Sequence, residues 1–215
     1  NGLCQLNPNL VHPVMNESVS ELAGRLGGLD FAISSDAPQL ISVAGNIGVG
    51  KTTLAKKLAA RLGCEVLLEP YDTNPFMPEV YAGRKELALD SQLYFLTSRA
   101  KQLAPDALAE GELCISDYVF DKETIYARRL LDAKQLALYE EIYPTFAAKV
   151  AAPVLVIYMR DPAANCLERI HNRNRPYEQQ IELAFLQGLD DDYERLFQGW
   201  RACPVIRIST SQARN

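Results

Sequence analysis

Short apolar runs alternate with longer amphipathic stretches from about residue 39 to residue 208. The apolar runs are rich in β-branched side chains, which is typical of buried strands. They predict strands over residues 39–44, 65–68, 113–116, 154–159 and 204–208. Continuous apolar strands separated by helices indicate a parallel sheet covered by helices on both faces. The predicted fold class is therefore α/β, with five parallel strands.

The stretches between these strands carry the periodicity of amphipathic helices. They predict helices over residues 53–62, 90–103, 122–149 with an interruption near Pro144, from Asp161-Pro162 onward, and 178–200. Before the first strand, residues 18–29 form a short helical pattern in which Ser18 and Glu21 have the spacing of a capping box. We expect residues 1–38 to be an extension and linker, and residues 39–215 to be one domain.

A glycine-rich loop follows the first strand and opens the first of these helices. The residues Gly45-Asn46-Ile47-Gly48-Val49-Gly50-Lys51-Thr52 fit the pattern G-x-x-x-x-G-K-[ST], and Thr53 follows. In such a loop, backbone N–H groups and the helix N-terminus face phosphate oxygens. Lys51 can reach the β- and γ-phosphates, and the Thr52 hydroxyl can ligate Mg²⁺. The sequence therefore predicts binding of ATP with Mg²⁺.

Two other predicted strands end in acidic residues, Glu69 and Asp117. Ligands of open parallel sheets bind at the carboxyl ends of the strands, so both carboxylates are expected near the triphosphate. One could hold Mg²⁺ and the other could take a proton from an attacking hydroxyl. The alternative is that each acid simply forms a turn.

Two further groups of polar residues are candidates for substrate contacts. Gln92 and Arg99 share one face of a predicted helix with Leu96 and could read the edge of a flat heterocycle, unless they form a solvated polar stripe. Arg169, Arg173 and Arg175 crowd into a polar stretch between two helical runs. Such a stretch is typical of an arginine-bearing lid, which could stabilise a transferring phosphoryl group, or of a charged solvated loop. The residues Asp190 to Asp192 are interpreted as a solvated face, and Tyr71 and Trp200 as packing residues.

Composition narrows the functional class. The formal net charge of −5 argues against a nucleic-acid-binding protein, and no apolar run is long enough to cross a membrane. The five scattered cysteines lack metal-ligand spacing and indicate reduced thiols in a cytoplasmic protein. With only two histidines, a histidine-rich metal site is excluded.

From about Leu40 to its end, the chain resembles the deoxyribonucleoside kinases, in particular bacterial members that act on purine deoxynucleosides. The resemblance rests on motifs in a fixed order along the chain. They are the glycine-rich loop, Glu69-Pro70, Asn74-Pro75-Phe76, Tyr81, Gln92 with Arg99, Tyr126-Ala127, and Arg173-Asn174-Arg175 with Glu178. It implies a P-loop NTPase fold with an arginine-bearing lid, a deoxynucleoside substrate and a homodimer.

The resemblance also implies roles for individual residues. Glu69 would be the general base for the nucleoside 5′-hydroxyl, Gln92 and Arg99 would read the base, and Tyr81 and Glu178 would bind the sugar 3′-hydroxyl. Arg173 and Arg175 would be lid arginines, and the ATP base would lie near the loop after residues 205–208. Four further residues would line the nucleoside pocket: Ile47, Met77, Val80 and Phe185.

The third strand departs from the family pattern of an acidic residue followed by arginine. Here the strand ends Ser116-Asp117-Tyr118, so Asp117 takes the metal-binding place only if the alignment slips by one residue. The same alignment puts Lys122 where many members have an aspartate that helps to read the base.

Two other functions remain open at this point. A nucleoside monophosphate kinase of the thymidylate kinase type shares the phosphate loop and the lid, although Glu69 before Asn74-Pro75-Phe76 favours a nucleoside acceptor. A non-catalytic ATP-binding module would explain the missing arginine after Asp117. The stretch Asn7-Pro8-Asn9-Leu10-Val11-His12-Pro13 resembles the tail of a pterin pyrophosphokinase, which would imply that the chain is part of a fusion protein.

Overall fold

A computed structural model describes residues 7–11, 16–25, 38–109 and 111–211. Its centre is a five-stranded sheet of β1 (Gln39–Gly45), β2 (Glu65–Leu67), β3 (Leu113–Ser116), β4 (Leu155–Arg160) and β5 (Val205–Ser209). All neighbouring strands are parallel, and their order is β2-β3-β1-β4-β5. The predicted five-stranded parallel sheet is confirmed. Since β1 is central and the chain leaves it on both sides, its carboxyl end lies at the switch point where ligands of such sheets bind.

Helices connect the strands and cover both faces of the sheet. They are α1 (Val19–Arg25), α2 (Lys51–Leu62), α3 (Met77–Tyr81), α4 (Ala88–Gln102), α5 (Lys122–Leu130), α6 (Ala133–Ala147), α7 (Ala163–Arg173) and α8 (Leu183–Gln198). Neighbouring residues of β3 point to opposite faces, with Ile115 in one apolar cluster and Cys114 in the other. The first cluster takes in residues of α2, α7 and α8, and the second takes in residues of α4 and α6. This layering explains why the strands are apolar throughout.

The predicted break of residues 122–149 near Pro144 is wrong. The chain breaks between α5 and α6, where the Asp132 side chain accepts hydrogen bonds from the backbone N–H groups of Lys134 and Gln135 and completes a capping box. This cap starts a new helix. Pro144 lies three residues before the end of α6, so its missing N–H removes one hydrogen bond close to the end of the helix, which continues to Ala147.

The arginine-bearing stretch is also more ordered than predicted. Arg169 and Arg173 lie within α7, which ends at Asn174 in the left-handed conformation (φ 53°). Asparagine tolerates that conformation better than most residues, so it ends the helix. Only Arg175 of the three arginines lies in the connection before the short 3₁₀ turn Pro176–Glu178.

Within the first 38 residues, the predicted capping box is confirmed. The Ser18 backbone N–H donates to Glu21 Oε2 (2.7 Å), and the Glu21 N–H donates to Ser18 Oγ (3.2 Å) at the start of α1. The rest of the predicted helix to residue 29, most of the linker and part of the pyrophosphokinase-like stretch lie outside the described residues. Among the described helices, none is both long and apolar enough to span a membrane.

Candidate active site

The glycine-rich loop wraps tightly against α7 because its glycines allow a conformation that other residues rarely adopt. Gly48 has φ 77°, and a Cβ at this position would lie 2.5 Å from the Cys166 carbonyl oxygen. Gly45 has φ 138°, and a Cβ there would meet the Met159 carbonyl oxygen. Both contacts are with backbone atoms, which cannot move aside as a flexible side chain can. The glycines of the motif are therefore required by the loop's shape as well as by the phosphate.

Gly48→Ala is expected to lower both stability and ATP affinity, because the methyl group strains the backbone and displaces α7 from the loop. Gly63→Ala is the matched control, since Gly63 also has a positive φ (67°) but nothing within 4 Å of the added Cβ. The control should lose about 1–2 kcal/mol of unfolding free energy from strain alone and keep its ATP affinity. Urea unfolding and ATP titration measure the two effects. Equal losses in both variants would contradict the role of the contact with α7.

The buried Asn46 side chain ties the glycine-rich loop to α8. Its side-chain amide donates to the Leu186 carbonyl oxygen (2.8 Å) and to Asp190 Oδ1 (2.6 Å), and its Oδ1 accepts from the Ile47 N–H (2.8 Å). The interpretation of Asp190 as part of a solvated face is therefore wrong, because this carboxylate anchors the phosphate loop to α8. The Lys51 ammonium donates to the Asn46 carbonyl oxygen (2.8 Å) and lies at the wall of a cavity.

That cavity, of about 410 Å³, lies in front of the glycine-rich loop and is called the phosphate cavity here. Its walls include the loop residues Gly48, Gly50, Lys51, Thr52 and Thr53, the two strand-end acids Glu69 and Asp117, and the arginines Arg169, Arg173 and Arg175. The strand-end acids are thus brought to the same cavity as the loop, as predicted from the parallel sheet.

Asp117 joins the loop to the second strand end. Its Oδ2 accepts from the Thr52 hydroxyl (2.6 Å), and its Oδ1 accepts from the Glu69 N–H (2.8 Å). A hydroxyl and a carboxylate side by side are the oxygen ligands that Mg²⁺ prefers, and this ion usually keeps water and phosphate oxygens as its other ligands. No cluster of three or more His, Cys, Asp or Glu side chains able to hold a metal occurs in the described part of the chain. Thr52 and Asp117 nevertheless fit a magnesium ion that takes its remaining ligands from a nucleotide.

Glu69 lies at the centre of a buried group of charges. Its Oε1 accepts hydrogen bonds from the Arg99 guanidinium and from the Lys122 ammonium, and all three side chains are almost fully buried. Burial by itself raises the pKa of Glu69, but the charges of Arg99 and Lys122 outweigh burial and hold it well below its ordinary value. Burial and then the charge of Arg99 lower the pKa of Lys122 to about 8. Glu69 is therefore an ionised carboxylate at neutral pH.

A second carboxylate, that of Glu123, pairs with the other terminal nitrogen of the Arg99 guanidinium. Glu123 Oε1 accepts from Arg99, and Glu123 Oε2 accepts from the buried Tyr139 hydroxyl (2.7 Å). A buried guanidinium requires such partners, because an unpaired charge in the protein interior is very unfavourable. The chain Tyr139, Glu123, Arg99 and Glu69 therefore fixes the geometry of the carboxylate at the strand end.

Tyr139→Phe is expected to lower the free energy of unfolding by about 1.5–3 kcal/mol, because Glu123 loses a buried hydrogen bond to its charge. Tyr143→Phe is the matched control one turn along α6, since the Tyr143 ring stacks on Phe120 and Tyr139 and its hydroxyl has no hydrogen bond with the described residues. The control should lie within about 0.5 kcal/mol of the parent chain. Urea unfolding measures the free energy of unfolding of both variants. Equal values would contradict a stabilising role for the hydrogen bond from Tyr139 to Glu123, the partner of Arg99.

A smaller inner cavity opens behind Glu69. Its lining includes the predicted pocket residues Ile47, Met77, Val80, Gln92 and Arg99, together with Glu69, Tyr71, Ser91, Phe95, Lys122, Tyr126 and Leu130. Gln92 and Arg99 are both buried, so the alternative of a solvated stripe is wrong. Gln92 Oε1 and Arg99 Nε are buried and have no hydrogen-bond partner among the described residues. Unpaired buried polar atoms in a cavity are free to hydrogen-bond a polar ligand or a water molecule.

Other predicted residues lie elsewhere. Phe185 packs partly buried against the apolar core and is absent from the lining of the inner cavity. Glu178 is buried and accepts from Arg173 (2.5 and 2.7 Å) and from Arg175 (3.5 Å). The side chain of Tyr81 lies outside the described part of the structure.

Tyr71, interpreted as a packing residue, lines both cavities. The Lys122 ammonium lies 5.9 Å and the Arg175 guanidinium 5.7 Å from the centre of its ring. Its position directly after Glu69-Pro70, at a strand end, is the signal that could have identified it. Glu123 was also missed, and nothing in its local sequence distinguishes it from a surface acid.

Comparison with known proteins places the chain among enzymes with this arrangement. The family model of deoxynucleoside kinases matches residues 41–215. The deoxyguanosine kinase of Bacillus subtilis is 36% identical over 174 residues, covering 79% of this chain and 84% of that protein. The deoxyadenosine/deoxycytidine kinase of the same organism is 31% identical over 176 residues, covering 79% and 81%.

A solved structure agrees with these relatives. The deoxyadenosine kinase from M. mycoides, with dCMP and a flexible dCDP bound, superimposes with a TM-score of 0.71 at 26% identity, over 80% of this chain and 90% of that one. The fold, the phosphate loop and the family match agree with one another. The chain therefore belongs to the deoxynucleoside kinase family and is a deoxynucleoside kinase.

Proposed function

We propose that the chain transfers the γ-phosphoryl group of ATP to the 5′-hydroxyl of a deoxyribonucleoside, forming the 5′-monophosphate for nucleotide salvage, with Glu69 as the general base. One observation carries this assignment: Glu69 lies on the wall shared by the phosphate cavity and the inner cavity. A hydroxyl that enters from the inner cavity and a phosphate that enters from the loop would therefore meet beside this carboxylate. The deoxyguanosine and deoxyadenosine/deoxycytidine activities named for the Bacillus relatives support a deoxynucleoside as the acceptor.

The phosphate loop would hold the triphosphate, with Lys51 at the β- and γ-phosphates. A further cavity runs from Gly50 and Thr53 to Thr210, directly after β5, and has a volume of about 170 Å³. It supports the predicted position of the ATP base near the loop after residues 205–208. Thr52 and Asp117 would hold Mg²⁺, which when bound neutralises charge on the phosphate oxygens.

Glu69 would orient the 5′-hydroxyl and accept its proton as the hydroxyl oxygen attacks the γ-phosphorus. The bond from that phosphorus to the bridging oxygen breaks, and ADP leaves. The depressed pKa of Glu69 keeps the carboxylate ionised, so it can accept a hydrogen bond from the 5′-hydroxyl and take its proton as the attacking oxygen becomes more acidic during transfer. Arg173 and Arg175 line the same phosphate cavity as the glycine-rich loop and would stabilise the charge of the transferring phosphoryl group.

The nucleoside would occupy the inner cavity, with Gln92 and Arg99 at the base and Ile47, Met77 and Val80 along its apolar walls. This cavity is only about 40 Å³ as it stands, well below the roughly 300 Å³ at which ligand pockets begin. We therefore expect side chains to move on binding. That Tyr81 and Glu178 contact the 3′-hydroxyl, and that Phe185 lines the pocket, stay predictions, as do the homodimer and the cytoplasmic location.

The test is ATP consumption with each of the four common deoxynucleosides and, in parallel, each deoxynucleoside monophosphate. We expect turnover with at least one nucleoside and none with the monophosphates. Turnover with a monophosphate alone would move the function to a nucleoside monophosphate kinase. ATP binding without any turnover would favour a non-catalytic ATP-binding module.

A further inference from the structure

Lys122 is a buried cation in the wall of the inner cavity, and the proposed reaction does not use it. Its side chain is almost fully buried, and its ammonium lies among the rings of Tyr71, Tyr118 and Tyr126, 5.3–6.0 Å from their centres. Among the described side chains, Glu69 is the acceptor of its hydrogen bond. An ammonium carries three N–H donors, and a buried donor without an acceptor is unfavourable. Lys122 therefore has donors to offer to a ligand in this cavity.

The polar groups that line the inner cavity are unevenly divided between donors and acceptors. Arg99 and Lys122 can only donate, and Arg99 Nε has no partner among the described residues. Glu69 is the one carboxylate that lines this cavity in the described part of the chain, and its Oε1 already accepts from both cations. Its Oε2 is buried without a partner among the described residues and is the atom left for the 5′-hydroxyl in the proposed reaction. The base of a nucleoside in this cavity would thus meet more free donors than free acceptors.

Gln92 alone would not distinguish an oxo base from an amino base. A ring edge with an oxo group next to an N–H offers an acceptor and a donor, and a ring edge with an amino group next to an unprotonated nitrogen offers the reverse. The glutamine amide carries both kinds of group and fits either edge by turning over. Lys122 breaks this symmetry, because an ammonium can hydrogen-bond an oxo group but has nothing to accept from an exocyclic amino group.

From this geometry we infer that Lys122 is a specificity-determining residue that makes the site prefer nucleosides with an oxo base over nucleosides with an amino base. The inference rests on the proposed function, because it takes the inner cavity as the nucleoside site. Gln92 Oε1, which is buried without a partner, would accept the ring N–H of such a base while Lys122 donates to its oxo group. The preferred class comprises guanine and hypoxanthine among purines, and thymine and uracil among pyrimidines.

Matched pairs of substrates isolate this effect. Deoxyinosine and deoxyadenosine differ only at the oxo or amino group and the adjacent ring nitrogen, and so do deoxyuridine and deoxycytidine. The experiment measures kcat/KM for all four in the parent chain, in Lys122→Met and Lys122→Gln, and in the exposed control Lys134→Met. Lys122 also contacts Glu69, so its loss will slow every substrate, but the ratio within a pair cancels this shared effect.

The parent chain should prefer the oxo member of the pair that fits the cavity by roughly 10- to 100-fold, the range expected for a hydrogen bond from a charged donor. Both Lys122 variants should lose most of that ratio, and Lys134→Met should keep it. A ratio near one in the parent chain, or a ratio that survives in both Lys122 variants, would overturn the inference.

A binding measurement keeps the inference separate from the proposed reaction. Calorimetric titration of the parent chain with the same four nucleosides, without ATP, needs no phosphoryl transfer. Tighter binding of the oxo members supports the inference even if no nucleoside is phosphorylated, in which case the proposed reaction alone fails. Binding of neither member of either pair, or equal binding of both, overturns it.

Discussion

Replacing Glu69 with glutamine is expected to lower kcat by about 10²- to 10⁴-fold while deoxynucleoside binding is retained. Glutamine preserves the shape of the side chain and can still hydrogen-bond Arg99 and Lys122, but it cannot take the proton of the 5′-hydroxyl. Arg99 also keeps its second carboxylate partner, Glu123, so its charge stays paired. Stopped-flow or coupled assays of ATP consumption give kcat, and calorimetry without ATP gives the dissociation constant of the nucleoside.

Glu65→Gln is the matched control for this substitution. Glu65 begins the strand that ends just before Glu69, and its side chain is exposed. The control should keep its rate within about twofold, because a surface charge at the far end of the strand touches neither cavity. If Glu69→Gln retained most of its rate, the general-base assignment would be wrong. If the Glu69→Gln variant lost nucleoside binding together with turnover, Glu69 would be acting mainly by maintaining the structure of the nucleoside pocket.

The second large effect is expected for Lys51→Met, with a loss in kcat of about 10²- to 10³-fold, comparable to the loss of one preorganised charge donor at a reacting centre. Methionine keeps the length and apolar stem of the side chain, so the start of α2 should be preserved. Lys51 lines the phosphate cavity and is buried, which makes its charge more effective than in water. Steady-state kinetics with varied ATP separate the effect on kcat from that on the KM for ATP.

Lys101→Met provides the control, because Lys101 is an exposed lysine near the end of α4 and lines neither cavity. Its kinetics should match those of the parent chain. A Lys51→Met variant with kcat within about threefold of the parent chain would contradict the placement of Lys51 at the transferring phosphate.

Features that depend on local sequence could be predicted well. The parallel sheet follows from apolar runs, the phosphate loop from its spacing, and the meeting of Glu69 and Asp117 from the rule that parallel strands end at one edge. Gln92 and Arg99 share a buried face of α4 because their spacing matches the helical repeat.

Features that depend on contacts distant in sequence were missed or misplaced. Asp190 anchors Asn46 across 144 residues, and Glu123 supports Arg99 from a different helix. Neither carboxylate differs locally from a surface acid, so only the packing of the helices identifies its role. The end of α7 depends on the backbone conformation of Asn174, and composition alone placed Arg169 and Arg173 in a loop.

³¹P NMR of the product shows whether this site transfers the γ-phosphoryl group of ATP to the 5′-oxygen of a deoxynucleoside. The chain would be incubated with ATP, Mg²⁺ and a mixture of deoxynucleosides, and the phosphorus signals recorded with proton coupling. We expect ADP and a new monoester signal split into a triplet by the two protons of the 5′-carbon. A doublet from a 3′-phosphate, or ADP with only inorganic phosphate, would rule out transfer to the 5′-oxygen.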